Sequence, residues 1–246
     1  MDEGKKRYLD RYVASRMIPD TLDIDISDIL DFFEKEPKYW DHRLRFVETY
    51  IRIMRHVHPE KGWRIAETGA LSGTSEYLRT RGHNVTDLKG DFRSRIEAED
   101  ASVDFLISME VLEHIKDQDS QSFDDLVLFN FSGVNTFISE MWRVLRPGGF
   151  LAVTTPNACS LYALTQLLAY EPPVIWSPHV KEYAPSEVIG RCEERGFKNL
   201  FWDTMFVLFH LDENQPKLLR EMFTDRGASA ENRGDVTFFL FQKLSA

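Results

Sequence analysis

The chain has 246 residues, 43% hydrophobic and 28% charged, a balance that excludes wholesale disorder and supplies enough apolar material for a large core. At about 150 residues per domain, that length makes one elaborated domain or two small ones. Lysine and arginine number 30 against 40 aspartates and glutamates, a net charge of −10, which disfavours nucleic acid and an anionic membrane face because both require positive surface.

The two cysteines, Cys159 and Cys192, form no CxxC pair, so a disulfide scaffold is excluded and reduced thiols in a cytoplasmic protein are expected. The first residues are charged with no apolar run behind them, so no secretory signal is expected. No stretch approaches the ~18 apolar residues of a membrane helix.

Residues 1–60 read as a helical cap. Over 25–36, Ile26, Ile29, Leu30 and Phe33 recur at helical spacing, and the acids between them form a solvated face. Over 42–58, Leu44, Val47, Ile51 and Met54 make an apolar stripe widened by Tyr50 and Val57, with Arg45, Glu48, Arg52 and His56 off it; Pro59 and Gly62 end the helix. Residues 61–246 then alternate. Strands are expected at 63–68, 84–88, 103–108, 150–155, 199–209 and 235–241, and helices at 74–80, 133–145 and 187–195. The run at 103–108, VDFLIS, suits a parallel strand buried on both faces. Pro147, Gly148 and Gly149 are expected to end the helix at 133–145 before its strand, and Gly196 supplies a left-handed residue after the last helix. Alternation of this kind predicts an α/β fold with a mainly parallel sheet.

The turn after the first strand, residues 67–74, reads ETGALSGT. Glycines there let the backbone approach a nucleotide-like ligand and aim the next helix at it, although a tight turn without a ligand has the same pattern. Asp87 follows Glu67 by 20 residues, where an acid at the end of a second strand accepts hydrogen bonds from ribose hydroxyls.

Two longer stretches, EAEDASVDFLISMEVLEHI at 97–115 and FISEMWRVLRPGGFLAVTTPN at 137–157, together with HVKEY at 179–183, resemble the Rossmann-like, class I S-adenosylmethionine-dependent methyltransferases. The resemblance spans roughly 63–196 plus a final strand pair. It implies a mainly parallel central sheet with an antiparallel last strand, and an enzyme using S-adenosyl-L-methionine and releasing S-adenosyl-L-homocysteine. It also implies that Glu67 holds the methionine end of the cofactor, Gly69 and Gly73 give close backbone approach, Asp87 holds the ribose, Asp91 and Phe92 lie at the adenine, and Met109 and Glu110 lie beside the sulfonium. Leu71 replaces the family's middle glycine, so its side chain must be routed away from the cofactor. Only 17 positions separate Asp87 from Asp104, where the family fits a helix and a strand, so the sheet is expected to be abbreviated near its second and third strands; Asp91 is then the other candidate for the ribose.

Methyl transfer to oxygen requires removal of a proton, by a base or with a metal. If residues 110–114 turn helical, Glu110, Glu113 and His114 share one face. The same pattern resembles the metal site of small-RNA 2′-O-methyltransferases and of some ubiquinone-pathway O-methyltransferases, in which a later histidine, here His179, completes the set. His114 and His179 are therefore candidates for bases, for ligands of a divalent ion such as Mg²⁺ with Glu110 and Glu113, or for hydrogen bonds within the fold.

Insertions are expected near 116–136, 158–178 and 212–226. The first two carry apolar and aromatic residues that, with the N-terminal helices, would roof a site, pack on each other, or make a homodimer face; the third is expected to form a helix between the last two strands. The reading is O-methylation of a small molecule or saccharide. RNA 2′-O-methylation shares the histidine and carboxylate set but meets the charge of −10, and a non-catalytic cofactor-binding protein would fit the lost glycine at Leu71.

Overall fold

The computed structural model describes residues 24–117, 132–208 and 231–244, with isolated positions among 221–229. The expected insertion near 116–136 thus falls largely, and the one near 212–226 mostly, outside the described residues.

Helix α1 (Ile26–Lys35) begins where Asp25 caps it, its carboxylate accepting from the amides of Ser27 and Asp28 at 2.8 and 3.2 Å. A 3₁₀ turn (Pro37–His42) leads into α2 (Arg43–His56). Their buried side chains, including Ile29, Phe33, Phe46, Val47, Tyr50, Ile51 and Ile53, join one core cluster with Ile65, Phe105, Ile107, Phe238 and Leu240 of the sheet. Arg52 lies off the apolar stripe yet is buried, because its guanidinium meets Asp203 in a two-pronged pair at 2.7 and 2.8 Å and also bonds Glu48. That pairing ties α2 to the far edge of the sheet, a role the stripe alone does not reveal.

The sheet has six strands: β1 (Ile65–Thr68), β2 (Val85–Leu88), β3 (Val103–Met109), β4 (Leu145–Pro156), β5 (Phe197–Met205) and β6 (Val236–Lys243). Their order is β2-β1-β3-β4-β6-β5. The pairs β1–β2, β1–β3 and β3–β4 are parallel, and β6 runs antiparallel to both β4 and β5. Along each inner strand, side chains alternate between faces. Phe105, Ile107, Ala152 and Phe238 meet the N-terminal helices and α3 (Gly73–Thr80). Leu106, Leu151, Val153, Phe239 and Phe241 meet α4 (Ser132–Val144) and α6 (Pro185–Arg195). The result is a three-layer α/β/α fold.

The β2 edge is abbreviated as expected. Residues 89–102 form no helix or strand, and Arg143 of α4 holds the coil in their place. Its guanidinium donates to the carbonyls of Ile96 and Ala98 at 2.9 and 2.8 Å and to Asp100 at 2.7 Å, while Glu140 accepts from the Ile96 amide at 2.9 Å. These contacts satisfy backbone groups of a coil that lies outside any strand ladder.

Two boundaries differ from the sequence reading. Helix α4 stops at Val144, and Pro147 to Gly149 lie within β4 rather than before it. The register shifts between Val103 and Phe105, and Asp104 at the irregularity accepts from the Arg64 amide and guanidinium and from Arg146. A bulge so anchored lets the strand start early. Strand β5 begins directly after Gly196, whose φ of 104° closes α6, and ends at Met205.

The carboxyl ends of β1 to β4 all point one way. At that end α5 (Leu161–Leu168) follows β4, capped by Ser160. The segment running to Tyr183 is pinned there too, by the Asn157–Tyr183 bridge and a 3.1 Å bond from the Ala158 amide to the Tyr183 carbonyl. Both cysteines are free thiols, and burial pushes that of Cys192 up from its ordinary range. Among the described residues no helix is long and apolar enough to cross a membrane.

Candidate active site

Ligands of open parallel sheets bind outside the carboxyl ends of the strands, and the chemistry-bearing residues gather there. Glu67, at the end of β1, is fully buried. One carboxyl oxygen accepts from the Ser72 amide at 2.7 Å, and Oε1 has no partner. Burial pushes its pKa up to about 7, against the opposing pull of Ser75 and Ser72. Gly69 (φ 87°) and Ala70 (φ 101°) make the turn in left-handed backbone. At Gly69 a Cβ would sit 2.6 Å from Val111 Cγ2, so glycine is required for conformation and space alike. Leu71 is partly buried and packs against the core cluster that the N-terminal helices share with the sheet. Ser72 caps α3 and donates from Oγ to the Met109 sulfur at 3.2 Å. Gly73 faces the helices: a Cβ there would lie 2.5 Å from Phe46 and 2.6 Å from Phe33. Its bareness serves the seating of α3 on α1 and α2.

Asp87 ends β2 in register with Glu67, pairs with Lys89 through Oδ2, and keeps Oδ1 buried without a partner. Asp91 differs. Its side chain is 51% exposed, and Arg93 takes both its oxygens at 3.0 Å and holds its pKa below the ordinary value. Phe92 stacks on Phe137 of α4 with ring centres 5.1 Å apart.

Met109 is buried at the end of β3. Glu110 follows in left-handed backbone (φ 53°), and its Oε2 lies 3.0 Å from the Arg45 guanidinium reaching over from α2. Residues 112–114 then form a 3₁₀ turn rather than an α-helix (Leu112–His114). That geometry separates the expected set. Donor atoms of Glu113, His114 and His179 lie within 4.8 Å of one another, whereas Glu110 is outside that group and engaged with Arg45.

Glu113 is fully buried. Thr155 of β4 donates to its Oε2 at 2.9 Å, and Oε1 has no hydrogen-bond partner. Burial, then the charge of Glu110, holds its carboxyl well above the usual carboxylate range. The His114 side chain is 39% exposed, and burial followed by His179 lowers its pKa. The His114 and His179 rings meet edge to face with centres 5.0 Å apart, and Trp176 lies against both at 5.7 and 5.5 Å. His179 is 6% exposed and bonds through Nδ1 to Glu182 Oε1 at 2.7 Å.

Arg45, Ser72, Thr155 and Glu182 were not among the residues singled out by sequence. A His-x-x-Glu spacing was the available signal for Glu182; nothing local pointed from Arg45 to Glu110.

Comparison with known proteins agrees with this architecture. Residues 31–200 match the methyltransferase domain family. A Mycolicibacterium smegmatis protein described as a "Probable S-adenosylmethionine-dependent methyltransferase" is 34% identical over 84 residues, 34% of this chain and 26% of that protein. The match therefore spans about a quarter of that relative's length. An S-adenosylmethionine-dependent methyltransferase structure from Archaeoglobus fulgidus superposes with a TM-score of 0.53 at 14% identity, covering 85% of this chain and all 100% of that one. A second from Thermotoga maritima gives 0.52 at 17% identity, covering 88% and 99%. At such identities the likeness is one of fold.

Proposed function

The chain belongs to the methyltransferase domain family, of the Rossmann-like S-adenosylmethionine-dependent kind, and on that footing we propose that it transfers a methyl group from S-adenosylmethionine to an oxygen of a small molecule or saccharide. The observation that carries the reading is the pairing of Glu67 with Asp87. Two acids sit in register at the carboxyl ends of adjacent parallel strands, each with one buried oxygen that has no hydrogen-bond partner among the described residues. Buried unpartnered oxygens are costly, and a ligand bearing an ammonium and ribose hydroxyls satisfies both.

The residues present fit the cofactor. Glu67 would hold its ammonium, Asp87 its ribose, and Gly69 would give it close backbone approach. Glu110 would supply a negative charge near the sulfonium while Arg45 holds that carboxylate in place. Asp87 is favoured over Asp91 for the ribose because Asp91 is exposed and already saturated by Arg93. When bound, the cofactor supplies an electrophilic methyl group; the protein supplies alignment and proton removal.

His114 and His179 are the residues that would take the acceptor's proton. A lowered pKa keeps His114 neutral, and therefore able to accept, near neutral pH. Glu113, His114 and His179 are also the residues that would hold a divalent cation, which would lower the pKa of an acceptor hydroxyl. With one carboxylate and two imidazoles, that donor set suits a borderline ion such as Mn²⁺ or Zn²⁺ better than the all-oxygen preference of Mg²⁺. The same three residues are what favours the second reading, RNA 2′-O-methylation, and the charge of −10 is what opposes it.

Calorimetry with S-adenosylmethionine and S-adenosylhomocysteine tests the core of the proposal, followed by transfer of labelled methyl to panels of phenols, saccharides and RNA, with and without chelator. Binding of both forms, and labelling in the first two panels, is expected. Failure to bind either form overturns the reading, and chelator-sensitive labelling of RNA alone replaces it with the second.

A further inference from the structure

Glu182 has no part in the scheme above, yet it is one of the most deeply placed acids near the site. Its side chain is 2% exposed. Its Oε1 accepts from the Ile175 amide at 2.6 Å and meets His179 Nδ1 at 2.7 Å, while Oε2 is buried with no partner. An acid held in this way is an expensive means of satisfying one backbone amide. The segment around it is fixed at both ends. The Val180 amide donates to the Glu113 carbonyl at 2.7 Å, and Tyr183 is bridged to Asn157 at the end of β4. Glu182 and His179 are thus set in one frame with Glu113 and the β4 terminus.

We propose that Glu182 is the positioning residue of the site: it accepts a hydrogen bond from Nδ1–H of His179 and so leaves Nε2 as the ring nitrogen that meets acceptor or cation. The inference rests on the methyltransferase reading for its consequence, though not for its geometry.

The direction of the bond follows from its neighbours. An amide N–H can only donate, so the Oε1 that receives Ile175 is an acceptor there. The same oxygen faces Nδ1; with Glu182 a carboxylate it can only accept there too, so Nδ1 carries the proton, and a neutral ring then bears its lone pair on Nε2. Burial of both partners keeps water from competing for either group. Carboxylates that hold a histidine's second nitrogen fix both its tautomer and its ring orientation. Here the effect is to leave Nε2 bare on a ring that meets His114 edge to face and has a nitrogen within 4.8 Å of donor atoms of His114 and Glu113, whether it takes a proton or a cation. Among the described residues, His114, 39% exposed, has no comparable contact: the Glu113 carboxylate oxygen facing it lies 3.9 Å from Nε2.

The test uses the full chain labelled with ¹⁵N-histidine. Long-range ¹H–¹⁵N spectra, recorded above the ordinary imidazole titration range, report which ring nitrogen is protonated, and His179→Asn assigns the signal. The expected result for the unmodified protein is a protonated Nδ1 and a bare Nε2; a ring protonated on Nε2 overturns the proposal whatever the variants do. Glu182→Ala should scramble that signature and lower kcat ~10- to 100-fold, the usual range for losing such a partner, while the KM for S-adenosylmethionine holds. Glu182→Gln keeps an acceptor at Oε1, and should keep the tautomer and restore most of kcat. A Glu182→Ala protein that loses thermal stability but keeps both the tautomer and kcat shows a structural role only, and overturns the proposal. Should Glu182→Ala fail to fold, the unmodified and Glu182→Gln spectra decide. Should the chain bind no S-adenosylmethionine, the methyltransferase reading fails by calorimetry while the ring spectrum still tests the positioning.

Discussion

Glu67 shows how a single burial is expressed twice. Its carboxyl is removed from water at the end of a central strand, and burial lifts its pKa from the ordinary 4.5 to about 7. The raised value means the folded chain holds this proton more tightly than the unfolded chain. No destabilisation arises below the unfolded value; it grows as pH rises through the interval and is complete above the folded value. An interval of this size corresponds to about 3 kcal/mol. Glu67→Gln retains an acceptor for the Ser72 amide without a charge to ionise. Urea unfolding of the two proteins should therefore show the variant gaining on the parent by about 3 kcal/mol between acid and pH about 8, with S-adenosylmethionine binding weakened at the same time. A difference independent of pH would mean that Glu67 is not buried as described. At this scale the sequence was informative about residue types but not about partners. Glu113, His114 and His179 were all legible as candidates, since their chemistry is written in their side chains. Glu110 was grouped with them through an assumed helical face, and the 3₁₀ turn and Arg45 remove it from the cluster. The Arg45–Glu110 pair joins α2 to the end of β3, and no local pattern encodes it.

Among the elements, α3 carries the most consequence for the site because its first residue is both a loop end and a packing surface. Gly73 has Phe33 and Phe46 pressed against it. Gly73→Ala should lower stability by about 1–3 kcal/mol, as overpacking does. Gly190, within α6, has nothing within 4 Å of a Cβ, so Gly190→Ala should instead add about 0.5–1 kcal/mol through helix propensity. Denaturant midpoints of the two variants check the contrast; a stable Gly73→Ala protein would mean that α3 is not seated on the aromatic pair. Element type was readable from periodicity for both N-terminal helices, the buried run of β3 and the Gly196 stop, whereas α5 fell in a stretch read only as an insertion. Boundaries were less so. Pro147 to Gly149 look like a stop by composition, yet they lie inside β4 because the irregularity at Asp104, anchored by Arg64 and Arg146, lets pairing begin at Leu145.

For the whole molecule, the question left by length was whether the N-terminal helices stand apart. Their buried side chains share a core with β1, β3, β4 and β6, and Arg52 crosses from α2 to Asp203 on β5. Heat should therefore unfold the chain in one transition with equal van't Hoff and calorimetric enthalpies, and two resolved transitions would show the helices to be an independent unit. The family resemblance, carried by the stretches at 97–115 and 137–157, already implied the α/β class, a mainly parallel sheet with its antiparallel last strand, and an abbreviated edge. Of these, the α/β class and the mainly parallel sheet also follow from the alternation of strands and helices, which local sequence records directly; the antiparallel last strand and the abbreviated edge were implied by the resemblance alone. What tertiary structure decided was which groups share a volume: that Arg143 holds the coil at 96–100, that Leu71 packs on the core of the N-terminal helices, that Asp87 rather than Asp91 keeps a buried oxygen without a hydrogen-bond partner among the described residues, and that Glu182 stands behind His179. Such relations depend on distances between residues remote in the chain or set in irregular backbone, where no repeating geometry links position to direction.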